Sequence, residues 1–551
     1  MPRADLHELL PDAEFTCDIC IIGSGPAGAT IARELAQSSA QVVLLESGGA
    51  ERQPSADELN EIENIGRPRE LDQWPLRNRI IGGSSHTWTG RCAPFDAIDF
   101  EKREWVPYSG WPFGLEELLP YLRRTPHYLG LGVATDYTDD RLWVTAHRPI
   151  PRPSLNEDVL MPFLWQYSKA RENRFDIMRV GPELVANLPK NVWLLTNATV
   201  VQLNLDPYGR AIQSVEVASF NGRRHTIKAP TVVLCAGGIE NARLLLCSNK
   251  VERPGIGNGR DLVGRFLMDH PRTVAGIFAK ARSAEIMRRF GLHHVRFGSR
   301  SYRFRHGFRL SPAIQRQEGL LNCAAWPEES VLEDDPWRAL NRILRSQSRT
   351  VKDIRAIVSN ADKILKGTVD LVVHKRGLTR KFGALNLICT TEQVPDPESR
   401  ITLSDRTDRL GMPISRVHWK ISEVEERSIR RIAALIATEV ARLGYEAPQL
   451  EPWVTEAEAP RPAFEDVGHP IGTTRMSDDP ATGVVDAQCQ VHGVEGLFVV
   501  GSSVFPTAGH ANPTQMIVAL AIRAADMLRA RHAGAGRMHL QPSPARVSDH
   551  V

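Results

Sequence analysis

The sequence predicts an α/β fold in which a parallel sheet is joined to a second, α+β region. Three observations support this prediction. Residues 18–36 read as an apolar strand, a glycine-rich turn and a helix, and residues 41–46 read as a second apolar strand. Residues 229–243 repeat the order, with an apolar strand that ends in Ala-Gly-Gly and continues into a helix. Strands that alternate with helices in this way are typical of parallel βαβ units.

The first turn carries the pattern Gly23-Ser-Gly25-Pro-Ala-Gly28. Gly23 permits the tight turn, Gly25 lets the backbone approach a pyrophosphate, and Gly28 lets the helix pack close to the strand. The N-terminus of that helix offers N–H groups and a positive dipole end to phosphates. Glu46 ends the second strand, where a carboxylate can accept from both ribose hydroxyls and disfavours a 2′-phosphate. The motif therefore predicts a dinucleotide site and leaves FAD and NAD both open.

The bulk composition is that of an ordinary globular protein. The chain has 551 residues, 42% of them hydrophobic and 24% charged, and a net charge of +3, which indicates no particular partner and no nucleic acid. Without a run of 18 apolar residues or an apolar N-terminal core, we expect a cytoplasmic protein that does not span a membrane. Export with a signal-bearing subunit is the alternative. Cys17 and Cys20 lie in a buried-strand pattern and are expected to be small apolar residues, and no metal site is expected.

Further segments follow along the chain at 79–90, 259–264, 269–271, 395–404, 468–476, 483–486 and 501–514. Together with the nucleotide motif they resemble the glucose–methanol–choline family of FAD oxidoreductases. The resemblance implies a Rossmann-like FAD-binding domain with a sheet-and-helix substrate-binding cap, and FAD rather than NAD. It also implies cofactor contacts from Gly83, Ser84, Ser85, Val201, Ala236, Gly501, Ser502, Asn512, Pro513 and Thr514.

Two side chains match the positions that this family places over the flavin N5, namely His469 and Asn512. Oxidation of an alcohol removes a proton from oxygen and a hydride from carbon, so a base is required within hydrogen-bond distance. We expect His469 to be that base, because imidazole titrates nearest neutrality. Asn512 is expected to donate to the developing alkoxide and to orient the C–H bond. His510 is either a further polar group of the site or a structural residue.

A helix is predicted from Pro513 through Leu528. Proline suits the first helical position and Asn512 is a suitable N-cap. The resemblance places this helix N-terminus under the flavin pyrimidine ring, where its partial positive charge favours a reduced, anionic flavin.

The segment 509–514, Gly-His-Ala-Asn-Pro-Thr, resembles the sugar-oxidising branch of the family, which includes pyranose oxidases and bacterial sugar and glycoside dehydrogenases. It implies a sugar, a glycoside or an aminoglycoside-like polyol as substrate. The alternatives are a steroid, choline-like or aromatic alcohol within the family, and a non-redox flavin-binding lyase outside this chemistry.

Pyranose oxidases attach FAD through the histidine of a Ser-Thr-His-Trp loop, whereas residues 85–88 read Ser-His-Thr-Trp. We therefore expect a non-covalent FAD with His86 near the flavin or substrate; a covalent link through His86 is the alternative.

The order of the motifs predicts six segments. They are 1–110, 191–271 and 466–533 for the FAD-binding domain, 111–190 for linker and cap elements, 272–465 for the substrate-binding domain, and 534–551 for a disordered tail. The sequence does not distinguish oxygen, a quinone and a cytochrome as the electron acceptor. It is compatible with a homo-oligomer or with a small accessory subunit.

Two basic segments lie in the predicted substrate-binding domain. Arginines alternate with aromatic residues over 296–306, which favours a strand with outward arginines over nucleic-acid binding. Residues 336–366 predict one or two basic amphipathic helices on the domain surface. A docking face for a membrane, a subunit or an electron acceptor is the alternative for these helices.

Overall fold

The computed structural model describes residues 3–9, 14–70, 72–133, 139–172, 176–344 and 350–533. The strands are β1 (Arg3–Asp5), β2 (Glu14–Thr16), β3 (Ile19–Ile22), β4 (Val42–Leu45), β5 (Ile62–Asn64), β6 (Arg91–Cys92), β7 (Leu160–Tyr167), β8 (Val192–Thr196), β9 (Thr199–Leu205), β10 (Ile212–Ala218), β11 (Arg224–Lys228), β12 (Thr231–Leu234), β13 (Arg272–Phe278), β14 (Leu292–Phe297), β15 (Arg300–Leu310), β16 (Cys323–Val331), β17 (Phe382–Thr391), β18 (Arg400–Thr407), β19 (Pro413–His418), β20 (Gln449–Leu450) and β21 (Leu497–Val499). The α-helices are α1 (Pro26–Glu34), α2 (Pro54–Asp57), α3 (Leu115–Leu122), α4 (Thr125–Leu129), α5 (Asp139–Thr145), α6 (Val180–Ala186), α7 (Glu240–Cys247), α8 (Ser283–Phe290), α9 (Pro312–Glu318), α10 (Pro336–Leu344), α11 (Val351–Val358), α12 (Ala361–Val372), α13 (Glu423–Arg442), α14 (Pro452–Thr455) and α15 (Thr514–His532).

Six parallel strands form the predicted nucleotide-binding sheet, in the order β1-β8-β4-β3-β12-β21. Every residue of β3, β4 and β12 is buried, which explains their continuous apolar runs. β4 and β12 lie on opposite sides of β3, so the connections diverge there and leave a crevice at the carboxyl ends of the strands. The α/β prediction is confirmed.

The α+β region is built on a mostly antiparallel sheet in the order β20-β13-β17-β16-β15-β7-β6, with β14 paired to β15. Helix α13 packs against β13, β16 and β17 and buries its apolar stripe with them in a second core. Two smaller sheets, β18-β19-β5 and β2-β11-β10-β9, complete the strands. The six segment boundaries remain predictions, and the tail 534–551 lies outside the described residues.

The arginine-rich strand prediction is correct for the backbone and wrong for part of the side chains. Residues 292–310 form the hairpin of β14 and β15. Arg305, however, is buried, donates to the Tyr167 hydroxyl at 3.1 Å, and also donates to the Pro327 carbonyl. The Arg303 guanidinium lies 3.8 Å from the centre of the Tyr167 ring. Arg305 points inward because a phenol and a carbonyl accept its hydrogen bonds there, while the half-buried Arg303 packs on the ring of the same tyrosine.

The basic segment 336–366 contains helices, as expected, but three rather than one or two, and the third continues to Val372. Cys17 and Cys20 are buried, and hydrogen bonding to Cys17 together with burial raises the pKa of the Cys20 thiol well above its ordinary value. Across the described residues, no helix combines the length and apolar character needed to span a bilayer.

Candidate active site

A cavity of about 480 Å³ opens at the carboxyl ends of the parallel strands. Its lining includes Ile22 and Leu45, the last residues of β3 and β4, and Cys235, which directly follows β12. The opposite wall comes from the antiparallel sheet through Trp165 on β7 and Trp326 on β16. The cavity therefore lies between the two sheets, and its volume is in the range of small-molecule sites.

The glycine turn forms the floor of the cavity. A Cβ at Gly23 would lie 2.7 Å from the Cys235 carbonyl oxygen, and one at Gly28 would lie 1.9 Å from the Gly23 carbonyl oxygen. Gly23 has a φ of +101°, which favours glycine. A Cβ at Gly25, by contrast, would meet no protein atom within 4 Å. The first and third glycines are thus used for packing within the protein, while the space beyond Gly25 belongs to the cavity and fits a pyrophosphate.

Glu46 lines the cavity at the end of β4 and is buried. Its Oε2 accepts from the Ser24 hydroxyl at 2.6 Å, and its Oε1 accepts from the Gly48 N–H at 2.9 Å. Burial raises the pKa of this carboxyl, and the bonds from Ser24 and Gly48 oppose that effect. Oε2 also accepts from the Ser24 N–H at 3.2 Å, whereas Oε1 keeps acceptor capacity and can also accept from a ribose.

Most of the other predicted cofactor residues lie on the cavity wall. They are Gly83, Ser84, Ser85, Ala236, Ser502, Asn512, Pro513 and Thr514. Val201 and Gly501 do not belong to the described lining; Val200 does, because successive side chains of β9 point to opposite sides. His86 is turned away as well, with Nε2 2.8 Å from the Ile81 carbonyl oxygen.

A buried charge cluster holds the backbone of His469. Its N–H donates to Asp269 at 3.0 Å, and Arg69 bridges Asp269 and Asp466 at 2.7 and 2.8 Å. Burial alone would raise the pKa of Asp269, but the positive charge of Arg69 helps to hold it at about 2. Burial and the negative charge of Asp269 raise the pKa of Asp466 to about 7. Gly468 turns with a φ of +73° and donates to Asp466 at 2.8 Å. The loop before the imidazole is therefore fixed.

His270 determines which nitrogen of His469 carries the proton. The Nε2 of His270 lies 3.2 and 3.0 Å from the carbonyl oxygens of Ala508 and Gly509, so it must be an N–H donor. Burial lowers the pKa of His270, and in the neutral ring Nδ1 is then an acceptor. This Nδ1 lies 2.9 Å from the Nδ1 of His469, which must therefore donate. The lone pair of His469 is left on Nε2.

That free nitrogen faces Asn512. The Asn512 Nδ2 lies 3.4 Å from the His469 Nε2, and both residues line the cavity. Burial, followed by the charge of His270, lowers the pKa of His469 to about 3, so the ring is neutral near pH 7. The prediction that Asn512 caps the last helix is wrong: α15 begins at Thr514, Pro513 occupies the N-cap position, and the Pro513 carbonyl accepts from Ile517 at 2.9 Å. The amide of Asn512 is thereby available to the site.

His510 also lines the cavity and is buried. Among the described residues, neither of its ring nitrogens has a hydrogen-bond partner. Its ring packs on Phe163 at 4.5 Å between centres, and its Nδ1 lies 3.9 Å from Asp96, which is too far for a hydrogen bond. Burial lowers the pKa of His510 to about 4, so it is a neutral polar group open to a ligand.

Two groups of side chains place carboxylate and imidazole atoms within 4.8 Å of one another: Asp269, His270 and His469, and Asp96, Asp99 and His510. The sequence hides both because their members are distant along the chain. Asp269 is bound to Arg69 and Asp96 to Arg309, the latter at 2.8 Å. A cation would have to displace a guanidinium in each group, so we assign a metal to neither.

Sequence reasoning missed the aromatic wall. Trp165 and Trp326 pack edge to face at 4.9 Å, and Arg91 lies over the Trp326 ring at 4.9 Å. The indole N–H of Trp165 is buried without an acceptor among the residues that the structure describes. The role of His270 also cannot be predicted from the sequence, although the motif 269–271 can be recognised there. No local pattern shows that this histidine contacts another one 199 residues away.

The open space at Gly25, the buried carboxyl of Glu46 and the neutral His469 beside Asn512 fit a dinucleotide-dependent oxidoreductase site. Residues 395–521 match the family model described as GMC oxidoreductase. The chain is 27% identical to 2-methyl-1,2-propanediol dehydrogenase of Mycolicibacterium austroafricanum, over 93% of this chain and 95% of the relative. It is 25% identical to paromamine 6′-oxidase of Streptomyces fradiae, over 93% and 91%.

Among solved structures, a formate oxidase superposes with a TM-score of 0.56 at 17% identity, covering 95% of this chain and 99% of that one. This likeness shows the fold. Residues 395–521 carry the C-terminal domain of a glucose–methanol–choline (GMC) oxidoreductase, and the chain is similar over most of its length to named oxidases and dehydrogenases. The protein is an FAD-dependent oxidoreductase that acts on CH–OH groups.

Proposed function

We propose that the protein oxidises a CH–OH group of a sugar, a glycoside or a similar polyol to a carbonyl. The observation that carries this proposal is the neutral His469, whose Nε2 lone pair faces the Asn512 amide across the cavity. A bound FAD would supply the hydride acceptor. The turn at Gly25, Glu46 and the N-terminus of α15 would hold it. His86 would form no covalent link to it, because its ring is turned toward the Ile81 carbonyl.

His469 acts on the hydroxyl of the substrate. Its Nε2 accepts the hydroxyl proton, while the Nδ1–H bond to His270 keeps the ring in the competent tautomer. The Asn512 amide donates to the oxygen as negative charge develops there. With the proton held at Nε2 and the oxygen held by Asn512, the C–H bond is directed toward the acceptor.

The aromatic wall and its unpartnered polar groups favour a ring with several hydroxyls. Trp165 and Trp326 offer apolar surface to a sugar ring, and the buried Trp165 N–H and the His510 ring nitrogens each lack a protein partner. Buried polar groups in native proteins are nearly always satisfied, so a ligand with several oxygens suits these atoms. The two relatives, one named for a diol and one for paromamine, support a polyol.

The test is an anaerobic titration of the FAD-loaded protein, followed by its flavin absorbance. The panel contains a free pyranose, a methyl glycoside, an amino sugar, a short 1,2-diol, a steroid, choline and an aromatic alcohol. We expect a pyranose or glycoside to bleach the flavin and to give one equivalent of a carbonyl product for each flavin reduced. Recovery in air would identify an oxidase; recovery only with a quinone or cytochrome would identify a dehydrogenase.

The control is His469→Asn, which retains the cavity and should retain FAD. We expect its bleaching rate to fall by about 10²- to 10⁴-fold, the contribution of a positioned base. Unchanged bleaching in this variant would remove His469 from the proposal. Bleaching only by the steroid, choline or the aromatic alcohol would overturn the polyol assignment, and product without bleaching would indicate a lyase.

A further inference from the structure

The connection between β16 and β17 is far longer than the sheet requires. The two strands are antiparallel neighbours, paired from Cys323–Thr391 to Val331–Phe382. A turn of about two to five residues commonly joins such strands. Here residues 332–381 intervene and carry α10, α11 and α12. We call residues 336–344 and 350–376 the helical insertion, because they carry these three helices and take no part in the pairing of β16 with β17.

The apolar stripes of two of its helices face solvent. On α11, Val351 is 82% exposed and Val358 is 70% exposed, with the exposed Ile354 between them. On α12, Leu365 is 70% exposed and shares a stripe with Val369. Spacings of three and four residues place each set on one side of its helix. Further exposed aliphatic residues of the insertion are Leu344, Val372 and Val373.

The fully buried positions of these helices are small or polar. Asp353 and Ala356 are the buried residues of α11, and Asp353 accepts from Arg342. Gly367 is the buried residue of α12, where a Cβ would lie 2.9 Å from the Trp337 ring. The other inward apolar residues, Ile357, Ile364 and Leu371, are only half-buried. The most exposed apolar residues of both helices therefore form stripes on the side directed away from the protein.

The helical insertion is strongly basic. Its described residues include eight Lys or Arg and three Asp or Glu, against a net charge of +3 for the entire chain. Its acids are engaged: Asp353 is buried with Arg342, Asp362 pairs with Lys363, and the side chain of Thr379 donates to Asp370. Lys352 and Arg355 are exposed beside the α11 stripe.

We propose that the helical insertion is a docking surface for an anionic lipid bilayer. Aliphatic side chains at helical spacing enter the boundary between headgroups and acyl chains, and neighbouring lysines and arginines pair with lipid phosphates. Protein-binding hot spots are enriched in Trp, Tyr and Arg, whereas Leu and Val are under-represented in them. Here the exposed large apolar residues described for the insertion are all aliphatic, and the Trp337 indole is turned inward to donate to the Thr379 carbonyl at 3.0 Å. This favours a bilayer over an acidic protein.

The experiment is co-sedimentation of the full-length, FAD-loaded protein with vesicles of phosphatidylcholine, alone or mixed with phosphatidylglycerol. We expect binding to the mixed vesicles, little binding to phosphatidylcholine alone, and release by high salt. The triple variant V351S/I354S/V358S and the double variant K352E/R355E should each weaken binding by about tenfold or more. The matched controls, Tyr208→Ser at an exposed turn and K190E/R253E elsewhere on the surface, should bind as the parent does.

Equal binding by all variants, or no binding to anionic vesicles, would overturn the proposal. So would a parent that is oligomeric by size exclusion and becomes monomeric in the triple variant without losing vesicle binding, because the stripe would then join two copies of the chain. Flavin bleaching by substrate in solution should be unchanged in every variant, so the result does not depend on the proposed chemistry.

Discussion

At the residue scale, the imidazole of His469 is held from three sides. Its backbone is bound to Asp269, its Nδ1 to His270, and its Nε2 faces Asn512. Two carbonyl oxygens behind His270 determine the tautomer, because they can only accept. A base that is neutral and correctly protonated before substrate arrives does not have to be reorganised during the reaction.

The first prediction concerns His270. In His270→Leu, the Nδ1–H of His469 loses its acceptor and the ring can adopt the other tautomer, so we expect kcat to fall by about 10²-fold. His270→Asn, which can restore an acceptor oxygen, should recover part of this loss. Steady-state kinetics with the best substrate of the panel measure both variants. His492→Asn, a change at a remote histidine bound to the Ser477 carbonyl, is the control.

The pH profile distinguishes this positioning role from a general structural one. Burial and His270 lower the pKa of His469, so the acid limb of kcat/KM in the parent should lie well below the ordinary histidine value of about 6.5. Since His270 contributes to the lowering, the limb should move to higher pH in His270→Leu. An identical limb in parent and variant would contradict the role assigned to His270.

The second prediction concerns Gly25. A methyl group there would occupy the space that receives the pyrophosphate while touching no protein atom. We expect Gly25→Ala to fold with unchanged stability and to bind FAD at least about tenfold more weakly, a loss of about 1.4 kcal/mol. Fluorescence titration of the apoprotein with FAD measures this. The control is Gly259→Ala, whose Cβ also meets no atom within 4 Å but lies on the surface, and it should bind FAD normally. Equal affinity of the two variants for FAD would refute the assignment of the space at Gly25 to the pyrophosphate.

Single residues also show what sequence can predict. The glycine turn and Glu46 can be predicted because their pattern is local: spacing, strand and helix lie within thirty residues of one another. The sequence does not distinguish Val201 from Val200, because alternation shows which side chains share a side of a strand without showing which side meets the cavity. Trp165 and Trp326 carry no local signal, since only the pairing of distant strands brings them together.

At the scale of elements, backbone predictions were better than side-chain predictions. The strand at 296–306 and the helices after 336 follow from periodicity. The direction of Arg305 does not, because it depends on Tyr167 in the neighbouring strand. The start of α15 shifts by one residue for a similar reason: Asn512 faces His469 rather than the first turn of the helix, so Pro513 takes the cap position.

At the scale of the whole molecule, a buried ion pair ties the antiparallel sheet to the segment between β6 and α3. Arg103 and Glu392 are both fully buried, and the second of their two bonds measures 2.9 Å. Glu392 also accepts from the Asn322 N–H at 2.8 Å, next to the strands of the antiparallel sheet. Arg103 lies between β6 and α3, and Glu392 directly follows β17, so the pair fixes this segment against the antiparallel sheet.

The third prediction is that Glu392→Gln leaves the Arg103 charge buried and uncompensated. We expect the free energy of unfolding to fall by about 3–5 kcal/mol. Denaturant unfolding measures this. Glu101→Gln removes a pair of similar length, 2.7 Å to Arg316, but on the surface, and should cost less than about 1 kcal/mol. Equal losses in the two variants would show that burial of the pair does not matter.

The parallel sheet has a consequence for how the chain is made. Strand β21, which pairs with β12, and the residues of α15 that wall the cavity come from the last part of the chain. During synthesis β12 therefore presents an apolar, unpaired edge while hundreds of later residues are still being translated, the kind of edge that invites aggregation. The cavity is complete only once α15 has been made, so we expect cofactor capture to follow synthesis of that helix and the edge of β12 to need protection until β21 is available.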